Sequence, residues 1–269
     1  MPRSSASSFG EPADLQTALS ADGFASLVAS SEGHFRARLI QVALNIVCLT
    51  MCRGEQPFCA FLRVPDDALL ITLPTGHGPW PVWSGMSMRP GELMTFGPRE
   101  RLHVRSSGSC QWATVRCSSR HLSQYGHALT GIQFDLPAVG RWRPPGAILR
   151  NLLSLHRAAG RAAESKSGLL INPAAAHGLE QQLIDALVEC LAARPPEVET
   201  STQRRHRDLL ARFEDALSAD PALPLRHICA ALGTSMSTLR ACAQGRLGMS
   251  PGRYRRLRLT AKLKSTDRV

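Results

Sequence analysis

The spacing of hydrophobic and polar positions changes character twice along this chain. Between residues 34 and 117 the apolar residues come in short runs of β type, at 34–42, 44–52, 58–64, 69–73, 80–83, 92–96, 101–104 and 111–117. Turn formers separate them: Arg53-Gly54, Pro65-Asp66-Asp67, Pro90-Gly91, Gly97-Pro98 and Ser107-Gly108. Seven or eight short strands with no helical pattern between them predict a barrel or sandwich and not a Rossmann sheet. Ahead of them, residues 1–33 read as a loose lead-in with one short helix around 14–28.

After residue 118 the period lengthens to that of a helix. Residues 120–129 form a short candidate, and Pro144-Pro145 opens a helix over 146–164, where Ile148, Leu152 and Leu155 recur at helical spacing. The clearest helix of this half is 174–193, with Leu179, Leu183, Ile184, Leu187, Val188 and Leu191 forming a broad stripe. Such a stripe is more often a core face than a partner surface. If part of it stays exposed, Leu183, Leu187 and Leu191 are the expected dimer seam.

Residues 194–203, with Pro195-Pro196 and several hydroxyl side chains, have linker composition. A third texture follows. A helix at 206–218 carries Leu209, Leu210, Phe213 and Leu217 on one face, and a second, at 225–232, carries Leu225, Ile228, Cys229 and Leu232. Gly233 ends that helix, because glycine enters the left-handed conformation without a Cβ penalty. Ser235 caps a helix at 236–244 whose inner face is Leu239, Cys242 and Ala243 and whose outer face is Met236, Ser237, Arg240 and Gln244. Ser250-Pro251 then opens a helix rich in arginine and lysine. Helix, tight turn and second helix make a helix-turn-helix whose second helix fits a major groove.

The expected fold is therefore α+β: a β-barrel or sandwich with following helices, then an all-α helix-turn-helix domain of homeodomain type. The divisions fall at a loose segment 1–33, a strand domain 34–118, a helical segment 119–193 that offers the expected dimer seam, a linker 194–203 and a DNA-binding domain 204–269.

Charge sharpens this division. The chain is +11 overall, yet residues 1–200 hold 18 Lys and Arg against 16 Asp and Glu, whereas residues 201–269 hold 14 against 5. The basic excess sits with the helix-turn-helix, and a polyanion is its natural partner, because each neutralised phosphate releases counterions. Ser237, Arg240 and Gln244, flanked by Ser235 and Met236, would face base edges, with Arg240 placed for a bidentate guanine contact. Thr234, Arg253, Arg255 and Arg256 would hold phosphates.

Other chemistries find less support. The eight cysteines include no CxxC pair and read as reduced, buried thiols of a cytoplasmic protein. The strand region offers only His34, His77 and His103, with no HxH pair and no acid at ligand spacing, so no metal site, no cofactor and no catalytic residue is expected. No GxSxG, P-loop or dinucleotide glycine pattern stands beside a suitable strand and helix, so the chain reads as a non-enzyme. Trp80, Trp83 and Trp112, with Met86 and Met88, either fill the barrel or line a pocket for an apolar or aromatic effector. The serine-rich start reads as disordered and not as a signal peptide, and the longest apolar stretch, 39–52, falls short of a membrane helix.

Residues 225–261 resemble the AraC/XylS family of bacterial transcription regulators. The resemblance is carried by Ala231-Leu232-Gly233, the Ser235 cap, Thr238-Leu239-Arg240, and above all Leu247-Gly248-Met249-Ser250-Pro251 with Arg253-Tyr254 and Arg258-Leu259. Gly91-Glu92-Leu93, Phe96-Gly97-Pro98, Trp112 and the run from Leu179 to Leu183 look like the sensing half of one branch. The resemblance implies a cupin-like effector domain, a coupling helix and two helix-turn-helix units joined by a long helix. Only one recognition helix precedes Val269, so it also implies a member truncated after its first unit. Ala241 and Ala243 stand where many members carry arginine and phenylalanine. The function so implied is sequence-specific transcription regulation by a homodimer on double-stranded DNA, answering a small-molecule effector, and touching RNA polymerase if it activates. The alternatives are a regulator that acts only by dimerising with full-length partners, and a cupin-type metal enzyme.

Overall fold

The computed structural model describes residues 2–31, 33–75, 79–131, 134, 136–165 and 172–266, with side chains in the last helix as far as Ala261. His77 and the side chains of Lys262 and Lys264 lie outside the described residues. In chain order the strands are β1 Arg3–Phe9, β2 Phe24–Ala29, β3 Ala37–Ala43, β4 Val47–Gly54, β5 Phe58–Arg63, β6 Ala68–Leu73, β7 Val82–Trp83, β8 Met86–Ser87, β9 Leu93–Phe96, β10 Arg101–Arg105, β11 Cys110–Ser118, β12 Val139–Trp142 and β13 Glu197–Val198. The helices are α1 Pro12–Ala18, α2 Ser119–Thr130, α3 Gly146–Glu164, α4 Pro173–Ala192, α5 Ser201–Ala219, α6 Leu225–Leu232, α7 Met236–Leu247 and α8 Pro251–Thr266.

The strands pair antiparallel into a large sheet, ordered β1-β3-β4-β11-β6-β9-β12-β13, and a small one, ordered β2-β5-β10-β7-β8. Strand alternation then decides what each face meets. In β6, Leu70 joins the core between the two sheets, while Leu69 and Ile71 join the core under α3 and α4. Burial on both faces explains why this strand is apolar at every position but Thr72 in place of alternating. In β5, Ala60 and Leu62 face the large sheet and Cys59 faces the other way, into a third core built with Leu210, Phe213, Leu239 and Tyr254. The molecule is thus four layers deep: α3 and α4, the large sheet, the small sheet, then the helix-turn-helix. The α+β architecture is a sandwich followed by helices and an all-α helical domain.

Two expected divisions differ from the structure. The lead-in 1–33 is ordered β-structure: β1 pairs along its length with β3, and β2 pairs with β5 at the edge of the small sheet. Its serines and glycines hid this, because an edge strand exposed on nearly every residue carries no apolar alternation. The linker 194–203 is also ordered. β13 pairs with β12, Thr200 caps α5 through a reciprocal pair of hydrogen bonds with Gln203, and Glu199 between them is buried.

Candidate nucleic-acid interface

The helix-turn-helix is held by local chemistry that the sequence specifies. Gly233 ends α6 at φ 64°, and Thr234 N–H follows it back to the Cys229 carbonyl at 3.0 Å. The Ser235 hydroxyl accepts from Thr238 N–H at 3.1 Å and so caps α7. Leu239, Cys242, Ala243 and Leu247 point inward and are buried against α5 and α6. Ser237, Thr238, Arg240, Ala241, Gln244 and Gly245 are exposed. The expected reading residues Ser237, Arg240 and Gln244 therefore share one open face of α7, free of the sandwich. Thr234 and Met236 are half-buried, Met236 packing on the domain core, which leaves it a smaller part in any contact.

The three arginines expected to hold phosphates are placed less simply. Arg256 is exposed. Arg253 donates through Nη2 to the Ser30 carbonyl at 2.8 Å, in the loop after β2, and Arg255 donates to the carbonyls of Pro221 and Ala222 at 3.1 and 3.3 Å. Both keep further N–H groups, but each is first a tie within the fold.

Behind the open face lies a buried polar seam against the small sheet. Glu214 of α5 is ringed by Ser26 of β2, His103 of β10 and Arg258 of α8. Burial pushes its carboxyl up, and the facing His103, Arg258 and Tyr254 outweigh burial and hold it below the usual carboxylate range. A second cluster joins Arg207 of α5 to Glu100 and Glu199, and Arg246 of α7 to Glu199. Burial raises the Glu199 carboxyl against the opposing pull of Arg246 and Arg204. Arg246 also donates to the carbonyls of Gln203 and Ser84. Ser84 holds a positive φ of 48° in the two-residue turn joining β7 and β8, with Gly85 at 80°, the geometry of a type I′ hairpin. That hairpin docks on the C-terminal end of α7.

Two sets of expected site residues are placed elsewhere. Trp83 and Trp112 fill the sandwich interior: their rings meet edge-on at 6.3 Å, Trp83 stacks on Phe96 at 5.7 Å and Trp112 on Phe24 at 5.6 Å. Half-buried Trp80 donates its Nε1–H to the Thr75 carbonyl at 2.7 Å. Leu183, Leu187 and Leu191 are buried between α4 and the large sheet, so the expected seam is core and offers no surface to a second copy.

Glu199, Arg207, Glu214 and Arg246 were not among the expected site residues. No local signal marked them: Glu199 lies in the stretch with linker composition, and the others read as solvated charges on amphipathic helices, as Glu214 does between Phe213 and Leu217. Among the described residues no group of three or more His, Cys, Asp or Glu side chains is gathered for a metal ion, and no helix is long and apolar enough to cross a membrane. All eight cysteines are free thiols, and burial raises their proton affinity, Cys117 to about 12.

No family model and no curated protein matches the chain. Among solved structures it is similar to the AraC-like transcriptional activator CuxR, at 16% identity over 96% of this chain and 95% of that one, with a TM-score of 0.49. It is also similar to unsaturated fatty acid-bound wild-type ToxT from Vibrio cholerae strain SCE256, at 11% identity over 83% and 82%, with a TM-score of 0.33. ToxT from Vibrio cholerae O395 is similar at 9% identity over 98% and 82%, with a TM-score of 0.27.

Proposed function

We propose that this chain is a sequence-specific DNA-binding transcription regulator in which α7 enters a major groove. The observation that carries the reading is the open polar face of α7, with Ser237, Arg240 and Gln244 exposed on a helix capped and braced as a helix-turn-helix requires. Arg240 has the reach for a bidentate contact to guanine. Arg226 at the start of α6 and Arg256 on α8 have exposed side chains for phosphate contacts that set register. We infer that the regulator binds as a homodimer, each copy setting its α7 in the groove at its own half-site. Contact with RNA polymerase follows only if the regulator activates.

Selection of duplexes from random sequence, followed by gel retardation, tests this. A recovered consensus is expected, and Arg240→Ala should reduce the preference for it by about 1 to 3 kcal/mol. Equal retardation of selected and scrambled duplexes by the unaltered chain would overturn the reading. It would favour a protein that acts by pairing with other chains.

A further inference from the structure

We propose that the recess between β10, the loop after β2 and the start of α8 binds the phosphoryl group of a small phosphorylated metabolite, clamped by Arg105 from the sandwich and Arg253 from the helix-turn-helix domain. The recess encloses about 290 Å³, at the lower edge of ligand-pocket sizes. Both arginines line it, together with Ser30, Ser31, Ser106 and Ser107, and no carboxylate is among the described residues around it.

Three features make this a place for an oxyanion. Arg105 Nε is buried without a hydrogen-bond partner, so the fold leaves part of this charged group's hydrogen-bonding demand unmet beside the recess. The Arg105 guanidinium lies against Gly248, the left-handed stop of α7 at φ 69°, where an added Cβ would come within 3.1 Å of Nη1, so the backbone there sets its position. Arg253 uses one N–H on the Ser30 carbonyl, which orients the guanidinium beside the recess and leaves other donors. The Ser106 hydroxyl accepts from Phe58 N–H at 3.1 Å and has the Cys110 thiol as a second partner, so it fixes the wall of the recess and leaves Ser30, Ser31 and Ser107 as the hydroxyls that line it. Two guanidinium forks and several hydroxyls match the three acceptor oxygens of a phosphoryl group better than the two of a carboxylate. Such a ligand would bridge the sandwich and the helical domain one residue beyond the end of α7.

Calorimetric titration of the full chain in chloride buffer tests this, with ribose 5-phosphate, inorganic phosphate and ribose as probes. Saturable millimolar or tighter binding is expected for ribose 5-phosphate and none for ribose. The inorganic phosphate arm shows whether the free ion alone suffices. Arg105→Gln and Arg253→Gln should each weaken binding about tenfold or more, as loss of a charged hydrogen bond implies, while Arg150→Gln on the far helix α3 leaves it unchanged. No saturable binding of either anion, or binding unaltered in both variants, would overturn the proposal. Should a variant fail to fold, phenylglyoxal labelling of the unaltered chain gives the answer: phosphate must protect Arg105 and Arg253 relative to Arg150. Protection by random duplex DNA without protection by either small anion would also overturn it, assigning the recess to the DNA backbone. None of these outcomes depends on the base-reading role of Arg240.

Discussion

Arg258 on α8 sets its Nε 3.0 Å from Oε1 of Glu214 on α5, and that carboxylate is only 1% exposed. The Ser26 hydroxyl donates to the same oxygen at 3.3 Å, and His103 Nε2 stands 3.6 Å from the other, an ion-pair distance too long for a hydrogen bond. Three elements of the sandwich and helical domain thus converge on one buried charge. Glu214→Gln keeps the shape and removes the charge. It should lower stability by about 3 kcal/mol, the low end for breaking a buried pair, because Arg258 stays partly hydrated. Since the Glu214 carboxyl is held below its usual range, its contribution is complete above the ordinary carboxylate pKa and is lost as pH falls through the lower, folded value. Urea unfolding of both proteins near neutral pH and in acid measures both effects.

Arg240 and Arg246 lie on the same helix and should behave oppositely. Arg240 is exposed on the reading face, so Arg240→Ala should change stability by no more than about 0.5 kcal/mol while weakening selected DNA. Arg246 is buried, donates to two carbonyls from different parts of the chain and pairs with Glu199 at 3.7 Å. Burial lowers its proton affinity, yet Glu199 keeps it charged. Arg246→Ala should cost about 3 kcal/mol and leave Glu199 with Arg207 as its remaining partner in the seam. Thermal melts and gel retardation on the same samples separate the two; a DNA defect in Arg246→Ala at full stability would place that arginine on the reading face.

Leu187→Ala tests whether the α4 stripe is core or interface. Leu187 is fully buried beneath the large sheet, so truncation should lower stability by about 2 to 5 kcal/mol and leave the mass in solution unchanged. A shift in mass at unchanged stability would restore the seam.

The elements legible from sequence are those whose pattern is local. Gly233, Ser235 and the apolar positions of α6 and α7 specify the helix-turn-helix with almost no outside help, and the structure has α3 at the expected 146–164. β1, β2, β12 and β13 were not legible, because their partners are remote: β1 is polar and exposed, and β12 is only four residues, centred on Gly140, whose missing side chain leaves room for the Trp142 bond to Thr95. The buried seam was illegible for a related reason. Glu214 and Arg246 look like solvated charges on amphipathic helices until the small sheet is placed against them, and that placement depends on the outward turn of Val28, Cys59 and His103 on three separate strands. Trp83 and Trp112 were equally ambiguous, since a packed interior and an open pocket call for the same residue types.

His156 supplies the last prediction. It sits fully buried on α3, with Nε2 3.4 Å from the Thr114 carbonyl of β11 and Nδ1 without a partner. That arrangement suits a neutral ring donating from Nε2; a second proton on Nδ1 would have no acceptor. Burial accordingly brings the imidazole down to about 4, against an ordinary value of 6.5. Below the ordinary value the unfolded chain takes up a proton that the folded chain refuses, so folding loses stability as pH falls, by about 1.4 kcal/mol per pH unit and about 3 kcal/mol by the time the folded value is reached. Glu214 adds to the slope only below the ordinary carboxylate range, while the raised Glu199 carboxyl works in the opposite direction above it and is present in both proteins, so the His156 contribution is the difference between two slopes. Urea midpoints between about pH 6.5 and pH 5 should fall more steeply in the unaltered chain than in His156→Leu, which replaces the ring with an apolar side chain that does not titrate. Parallel slopes in the two proteins would mean that the proton uptake occurs at another site.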